Sequence, residues 1–307
     1  MNTASITVVK SMRPPFLVLT PVCIFLGMAI AEAYAIEIDA FRAILILLAA
    51  LSAHISVNSF NEYFDFRSGL DNLTNKTPFS GGSGGLPAHP HAAPLVLATA
   101  ISSLLLTSAI GLFFVIHGNA LLLPLGVLGL FTIVSYTSYI NKFPWLCLIA
   151  PGFAFGPLFI VGTLLAITPL DSAIAAPLNS ALVASLVPFF LVNNLLLLNQ
   201  FPDVDADRQV GRVTLPIRYG LPFSLNIYRL FSALCALTII VAAVLGLTPW
   251  LSLLAIAPLT LSFSAQRDIA NSGFEHEQMI PGLGKNVACT LLTIFVYALA
   301  IYMGHIQ

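Results

Sequence analysis

The chain has 307 residues, of which 58% are hydrophobic and only 8% are charged, and its formal net charge is -1. A soluble globular domain has about 25% charged residues, so this composition excludes an ordinary soluble protein and predicts a membrane protein with several spans. The sequence has no basic run, and we expect no nucleic-acid partner.

Nine apolar stretches of about 17 to 25 residues predict an all-α, multi-span membrane bundle of about nine transmembrane helices around a central cavity. They cover roughly residues 16–35, 43–64, 92–117, 120–139, 144–167, 178–200, 225–247, 249–265 and 286–305. We expect one domain over residues 1–307, with two motif-bearing halves at about 1–140 and 141–307.

Charge and cysteine usage predict where this bundle resides. Of the Lys and Arg residues, only Arg42 falls on the side opposite the N-terminus, which predicts a cytoplasmic N-terminus and a cavity that opens to the cytoplasm. No small-residue cleavage site follows a short apolar core near the N-terminus, so we expect no removable signal peptide. Cysteines 23, 147, 235 and 289 lie in apolar runs without CxxC spacing, which favours a packing role. A bacterial or archaeal cytoplasmic membrane is the expected location.

The second span ends in an acidic motif, NSFNEYFDFRSGLDN, at residues 58–72. Asn61 and Asp65 are four positions apart and therefore share one helix face. Asp71 follows Gly69, and we expect it just beyond the end of the helix. Glu62 lies on a neighbouring face.

A glycine-rich segment, TPFSGGSGGL, follows at residues 77–86. It lacks the order of a phosphate-binding P-loop, and no strand precedes it. Two interpretations remain, a flexible lid over the cavity and a plain connector.

The sixth predicted span ends in a second acidic motif, NQFPDVDADRQVGRVTLPIRYG, at residues 199–220. Asn199, Asp203 and Asp207 share one face if the helix continues through them, while Asp205 points elsewhere. Pro202 would kink such a helix.

Both acidic motifs close spans that end on the same side, so the predicted topology allows them to converge on one cavity. A solvated helix end is the alternative for either motif alone. Carboxylate and amide oxygens are ligands suited to Mg²⁺, which also binds substrate phosphates. Basic residues near the motifs are candidates for binding a diphosphate, although each could instead set the topology or pair with an acid: Arg67, Lys76, Lys142, Arg208 and Arg212.

The segments NEYFDFRSGLD and DVDADRQVGRVTLPIRYG resemble the two signature motifs of the UbiA superfamily of intramembrane prenyltransferases. The RPPF segment near the first span also fits. The resemblance implies nine helices, bound Mg²⁺, and transfer of a polyprenyl chain from its diphosphate to an acceptor that is often aromatic. The spacing of Asp65 and Asp71 resembles the menaquinone branch, whose acceptor is 1,4-dihydroxy-2-naphthoate. Arg212 stands where Lys is common, Glu62 replaces a frequent Asp, and the glycine-rich loop departs from that branch.

The resemblance also implies roles for individual residues. Two Mg²⁺ ions would be held by two sets of ligands: Asn61, Asp65 and Asp71, and Asn199, Asp203 and Asp207. The basic residues would neutralise the diphosphate, and a spare carboxylate, Asp205 or Glu62, would accept a proton. Two alternatives remain, namely a prenyltransferase with a lipid acceptor such as a glycerol phosphate lipid, and a secondary transporter with paired acidic sites. The acceptor, the chain length and the oligomeric state are not indicated by these motifs.

Overall fold

The computed structural model describes residues 3–74, 76–168 and 174–304, and no residue in these ranges belongs to a β-strand. The expected all-α class is therefore confirmed for the described part of the chain. The principal helices are α1 (Leu19–Ala33), α2 (Ala40–Ser68), α3 (Pro90–His117), α4 (Leu122–Ser135), α5 (Pro144–Ile167), α6 (Ala175–Asn199), α7 (Leu221–Val244), α8 (Leu261–Asn271) and α9 (His276–Met303). Each lies largely within a predicted span except α8, which extends beyond the end of the eighth span.

Short helices connect the principal ones. They are Thr3–Ser11, Pro14–Leu17, Leu70–Asn72, Gly85–Ala88, Ile140–Lys142, Val204–Gln209, Leu215–Tyr219, Trp250–Ala255 and Ile256–Leu259. Several of them lie in the two motif regions, where the chain between the long helices is itself ordered into turns.

Six helices of the described chain, α2, α3, α5, α6, α7 and α9, are long and apolar enough to cross a membrane. A seventh candidate arises if α1 is joined to the preceding helical segment Thr3–Leu17, to which it is bent by 41°. The predicted count of nine was therefore imprecise, although a multi-span bundle is confirmed. Helix α4 has 14 residues and α8 has 11. At 1.5 Å per residue, α4 extends roughly 21 Å, which is shorter than a hydrocarbon core of about 30 Å.

Helix α2 is bounded by residues that cap it. The Asp39 carboxylate accepts a hydrogen bond from the backbone N–H of Arg42 at 2.8 Å, and Gly69 ends the helix at φ 80°. A left-handed conformation of this kind is easily adopted by glycine, so the helix stops directly before the Leu70–Asn72 turn. Asn61 and Asp65 are therefore in the last turns of α2, and Asp71 lies beyond its end as predicted.

Helices α5 and α6 pack unusually closely. A Cβ atom added at Gly152 would lie 2.2 Å from the carbonyl oxygen of Phe189, and the Gly152 N–H donates to Asn193 Oδ1 at 2.7 Å. Small residues and interhelical polar contacts are the usual means of helix association in lipid. A π-helical turn at Ala154–Leu158 interrupts α5 and turns Phe155 toward the central cavity.

Candidate active site

A central cavity of about 590 Å³ lies between helices from both halves of the chain. Polar side chains of both acidic motifs line one end. Apolar side chains from several helices, including α2, α4 and α5, line the rest, among them Ile46, Leu125 and Phe159. His54 lies between these regions, with its Nδ1 2.8 Å from Thr20 Oγ1 and its ring against Phe155. The cavity can thus hold a molecule with one polar and one apolar end.

All six residues predicted as metal ligands line the polar end of this cavity: Asn61, Asp65, Asp71, Asn199, Asp203 and Asp207. Asp65 and Asp71 are each 5% exposed, and Asp207 is 2% exposed. The structure therefore brings the two motifs, which are far apart in the sequence, to the same end of one cavity.

The second motif reaches the cavity by a different route from the predicted one. Helix α6 ends at Asn199, and a separate helix, Val204–Gln209, begins after Asp203. The condition for a shared helix face is therefore not met, because the helix does not continue from Asn199 to Asp203. Pro202 has no N–H to donate to the preceding turn, so the helix breaks there instead of only kinking. Asp203 and Asp207 still line the cavity, while Asp205 is exposed outside it.

Arg212 joins the two motifs directly. Its Nη1 donates to Asp207 Oδ1 at 2.9 Å, and its Nη2 forms an ion pair with Asp65 Oδ1. All three side chains are largely buried, so the guanidinium compensates carboxylates that have little contact with water. The contact spans 147 positions of sequence.

Three oxygen atoms at the polar end have no hydrogen-bond partner within the described residues. They are Asp71 Oδ2, Asn199 Oδ1 and Asp203 Oδ1. Buried polar atoms are normally satisfied, so these oxygens are suited to a cation that prefers oxygen ligands, such as Mg²⁺. In the described ranges, no three His, Cys, Asp or Glu side chains already form a metal-binding group. Mg²⁺ commonly uses one or two carboxylates together with substrate phosphates and water, so the three oxygens without partners fit such a site.

Two carboxyl groups at the polar end, those of Asp71 and Asp203, have a raised pKa. Burial, together with the charges of Glu62 and Asp65, raises the pKa of Asp71 to about 7. Burial and the charge of Asp207 likewise raise the pKa of Asp203 to about 7. Both groups favour the protonated form more than an exposed aspartate does, because burial disfavours charge.

Most of the predicted diphosphate-binding residues lie away from the cavity lining. Arg212 lines the cavity, whereas the other four predicted residues are exposed and are not part of its wall: Arg67, Lys76, Lys142 and Arg208. The Lys76 ammonium lies against Gly84, where an added Cβ would be 2.2 Å from Nζ. These four residues are close to the acidic motifs in sequence, but that closeness did not predict whether their side chains line the cavity.

Arg13 is a further basic residue that lines the cavity. Its role was not predicted from the sequence. Its Nε donates to Glu62 Oε1 at 2.8 Å, and its Nη2 lies 2.7 Å from the same oxygen. Arg13 has a left-handed φ of 52°, directly before Pro14. The RPPF segment, which begins with Arg13, is the sequence feature from which this residue could have been identified.

Glu62 is fully buried and connects Arg13 to the glycine-rich loop. Its carboxylate accepts hydrogen bonds from the Ser83 N–H at 2.8 Å and from Ser83 Oγ at 2.7 Å. Like Asp205, it is not part of the cavity lining. The role of either residue as a base stays a prediction, and the contacts of Glu62 are those of a positioning residue.

The glycine-rich loop contacts both acidic motifs. The Gly81 N–H donates to Asp203 Oδ2 at 3.2 Å, while Ser83 binds Glu62 of the first motif. Gly82 has a φ of 73°, and a Cβ added there would lie 2.7 Å from Asp71 Oδ1. The loop therefore covers the polar end of the cavity, and glycine permits its close approach to Asp71.

The chain is similar to known proteins over most of its length. The model of the UbiA prenyltransferase family matches residues 20–273. The chain is 25% identical over 251 residues to the 1,4-dihydroxy-2-naphthoate octaprenyltransferase of Bacillus subtilis, covering 78% of this chain and 74% of that protein.

Solved structures share the fold at 15% sequence identity. A UbiA homologue from Aeropyrum pernix superposes with a TM-score of 0.71, covering 91% of this chain and 95% of that one. A UbiA homologue from Archaeoglobus fulgidus bound to DMAPP and Mg²⁺ gives 0.61, with 96% and 99% covered. A digeranylgeranylglyceryl phosphate synthase gives 0.65, with 98% and 99% covered. The family model covers most of the chain, and the two acidic motifs meet in one cavity, so this chain is an integral membrane protein of the UbiA prenyltransferase family.

Proposed function

We propose that this protein transfers a polyprenyl group from its diphosphate to an aromatic quinone precursor such as 1,4-dihydroxy-2-naphthoate, with Mg²⁺ as cofactor. The main support is the cavity itself, in which both acidic motifs form one polar end and the remainder is apolar. A polyprenyl diphosphate has the same division into a charged head and an apolar chain.

The ligands for Mg²⁺ in this proposal are the six predicted residues at the polar end, three of which carry oxygens without partners. Bound Mg²⁺ would supply positive charge to the diphosphate as it leaves. Arg212 and Arg13 line the same end and would contact diphosphate oxygens that the metal leaves free.

The reaction begins when the allylic C–O bond breaks and its electron pair leaves with the diphosphate. An electron-rich carbon of the acceptor ring then forms a bond to the allylic cation. The same carbon loses its hydrogen as a proton, which restores the aromatic ring, and the released diphosphate would accept this proton. Apolar side chains around the chain, including Phe155 and Phe159, exclude the water that would otherwise capture this cation.

The aromatic acceptor is supported by the Bacillus subtilis relative and by the spacing of Asp65 and Asp71. A lipid acceptor is the second candidate, because the fold also superposes on a digeranylgeranylglyceryl phosphate synthase. We further propose that the polar end faces the cytoplasm, as the distribution of Lys and Arg predicts. A transporter is disfavoured because the acidic residues gather at one end of the cavity rather than near its middle.

Prenyl transfer by the purified protein in detergent tests this proposal. The assay uses radiolabelled geranylgeranyl or longer diphosphate with a panel of acceptors, in Mg²⁺ and in chelator. With dihydroxynaphthoate as acceptor, we expect product in the presence of Mg²⁺ and no product in the presence of chelator. Product with a glycerol phosphate lipid instead would select the second candidate.

The Asp203→Ala variant is expected to abolish transfer, because it removes a carboxylate that lines the polar end. The matched control is Asp205→Ala, because Asp205 lies two positions later, is exposed and is outside the cavity lining, so this variant should retain transfer. A near-normal rate for Asp203→Ala would contradict the site assignment, and inactivity of Asp205→Ala would support its predicted role as a base.

A further inference from the structure

Several glycines line the apolar part of the cavity, and they come from three different helices. They are Gly111 on α3, Gly126 and Gly129 on α4, and Gly162 on α5. An added Cβ atom at Gly111, Gly126 or Gly162 would meet no atom within 4 Å, and at Gly129 it would lie 3.6 Å from Leu158.

Helix packing does not account for these glycines. At Gly152 and Gly156, on the same helix as Gly162, an added Cβ would lie 2.2 Å from Phe189 O and 2.4 Å from Ser185 O. Those two glycines permit the close contact with α6, as small residues do in membrane bundles. Gly126 and Gly162 have no such neighbour.

Backbone conformation does not account for them either. Neither Gly126 nor Gly162 is among the glycines with positive φ. Alanine is therefore permitted sterically at both positions, and glycine in a helix interior costs about 1 kcal/mol relative to alanine. Both glycines share two properties, namely that they line the cavity and that an added Cβ atom would meet open space.

The opposite end of the same cavity indicates what occupies that space. Asp71 is 5% exposed, its Oδ2 has no partner in the described chain, and it lines this cavity. A ligand whose charged head is bound there would extend along the apolar wall toward the glycines. Gly111 and Gly126 are also exposed on the protein surface, so no side chain closes the wall at these positions.

We propose that Gly126 and Gly162 determine how long an isoprenoid chain the cavity accepts, and that their lack of side chains selects for long polyprenyl diphosphates. This inference rests on the proposed function. It identifies residues that control donor specificity and are separate from the ionic machinery of the acidic motifs.

Transfer kinetics with donors of different length test the inference. We would measure kcat/KM for geranyl and for octaprenyl diphosphate with wild type, Gly126→Leu and Gly162→Leu. Filling a hydrophobic pocket discriminates by roughly 10- to 200-fold. We expect a loss of at least about 10-fold with the octaprenyl donor, and a change below about 2-fold with the geranyl donor.

Ala109→Leu is the matched control, because Ala109 is an exposed residue of α3 that does not line the cavity. It should leave both values near wild type. The series Gly126→Ala, Gly126→Val and Gly126→Leu should shorten the longest accepted donor step by step, and its smallest member keeps the test valid if the leucine variant does not fold.

Equal losses with both donors, or an unchanged octaprenyl rate in both leucine variants, would overturn the inference while leaving the proposed function intact. Wild-type protein that transfers neither donor to any acceptor would instead refute the proposed function, and this inference with it.

Discussion

At the scale of single residues, Arg212 compensates the negative charge of two buried carboxylates in the site. It pairs with one carboxylate from each motif, and removal of a partner from a buried pair leaves uncompensated charge. Its position between the two carboxylates offsets part of the negative charge that the two motifs bring to the same end of the cavity.

The Arg212→Ala variant should lose about 3 kcal/mol of stability in the absence of metal, because Asp65 and Asp207 lose their common partner. Mg²⁺ should raise the thermal midpoint of this variant more than that of wild type, since it replaces the missing positive charge. Unfolding in detergent with and without Mg²⁺ measures both effects. Arg208→Ala is the control, because Arg208 is exposed and outside the cavity. Equal destabilisation of the two variants would contradict the role of Arg212.

The acidity of Asp71 and Asp203 gives a second prediction. Both have a pKa raised to about 7, so in the metal-free protein they become protonated as the pH falls below about 7. A carboxyl must be ionised to bind a cation, so Mg²⁺ affinity should rise with pH through this range and level off above about pH 8.

Titration calorimetry in buffers of different ionisation enthalpy tests this prediction. We expect release of about one proton or more per binding event near pH 6, and almost none near pH 8. Proton uptake at any pH in this range would contradict it. Asp205→Asn should leave the proton release unchanged, because Asp205 lies outside the cavity.

At the scale of single residues, the sequence predicted the acidic residues of the cavity better than the basic ones. All six candidate ligands inferred from the two motifs line the cavity, while their role as metal ligands stays a prediction. The direction of Lys and Arg side chains depends on tertiary contacts. Arg13 meets Glu62 across 49 positions, whereas Arg67 lies within the first motif and is exposed.

At the scale of elements, the glycine-rich loop is the connection between the motifs. It binds Asp203 through Gly81 and Glu62 through Ser83. Gly82 passes close enough to Asp71 that a side chain would displace one or the other.

Gly82→Ala should therefore lower both Mg²⁺ affinity and transfer rate. Gly246→Ala is the control, because Gly246 also has a positive φ of 69° but meets no atom within 4 Å and lies after α7. Both variants should lose about 1 kcal/mol of stability from backbone strain. Only Gly82→Ala should lose transfer rate and Mg²⁺ affinity. A similar loss in Gly246→Ala would show that backbone strain alone causes the effect.

The elements also show why helix positions were easier to predict than helix ends. Eight of the nine predicted spans contain most of a principal helix, because lipid requires long apolar runs with internally satisfied backbone groups. The predicted end of the sixth span, at residue 200, also agrees with the end of α6 at Asn199. The eighth predicted span differs, because it contains the Trp250–Ala255 3₁₀ helix and Ile256–Leu259, whereas α8 begins at Leu261 and extends beyond it to Asn271.

At the scale of the whole molecule, neither acidic motif makes the site alone. The cavity receives Asp65 and Asp71 from the first half and Asn199, Asp203 and Asp207 from the second. The sequence predicted this convergence from topology. The cavity volume and the contacts of Arg212 depend on packing over long sequence separation, which motif spacing does not report.

The pairing of Asp65 with Arg212 has a consequence for the order of biosynthesis. Their separation of 147 positions means that a ribosome adding about 5–20 residues per second makes the arginine roughly 7 to 30 s after the aspartate. During that interval the first acidic motif exists in a partly made chain without its cationic partner. The nascent first half must therefore keep Asp65 in contact with water, and the closed polar end of the cavity is completed only after the second half emerges.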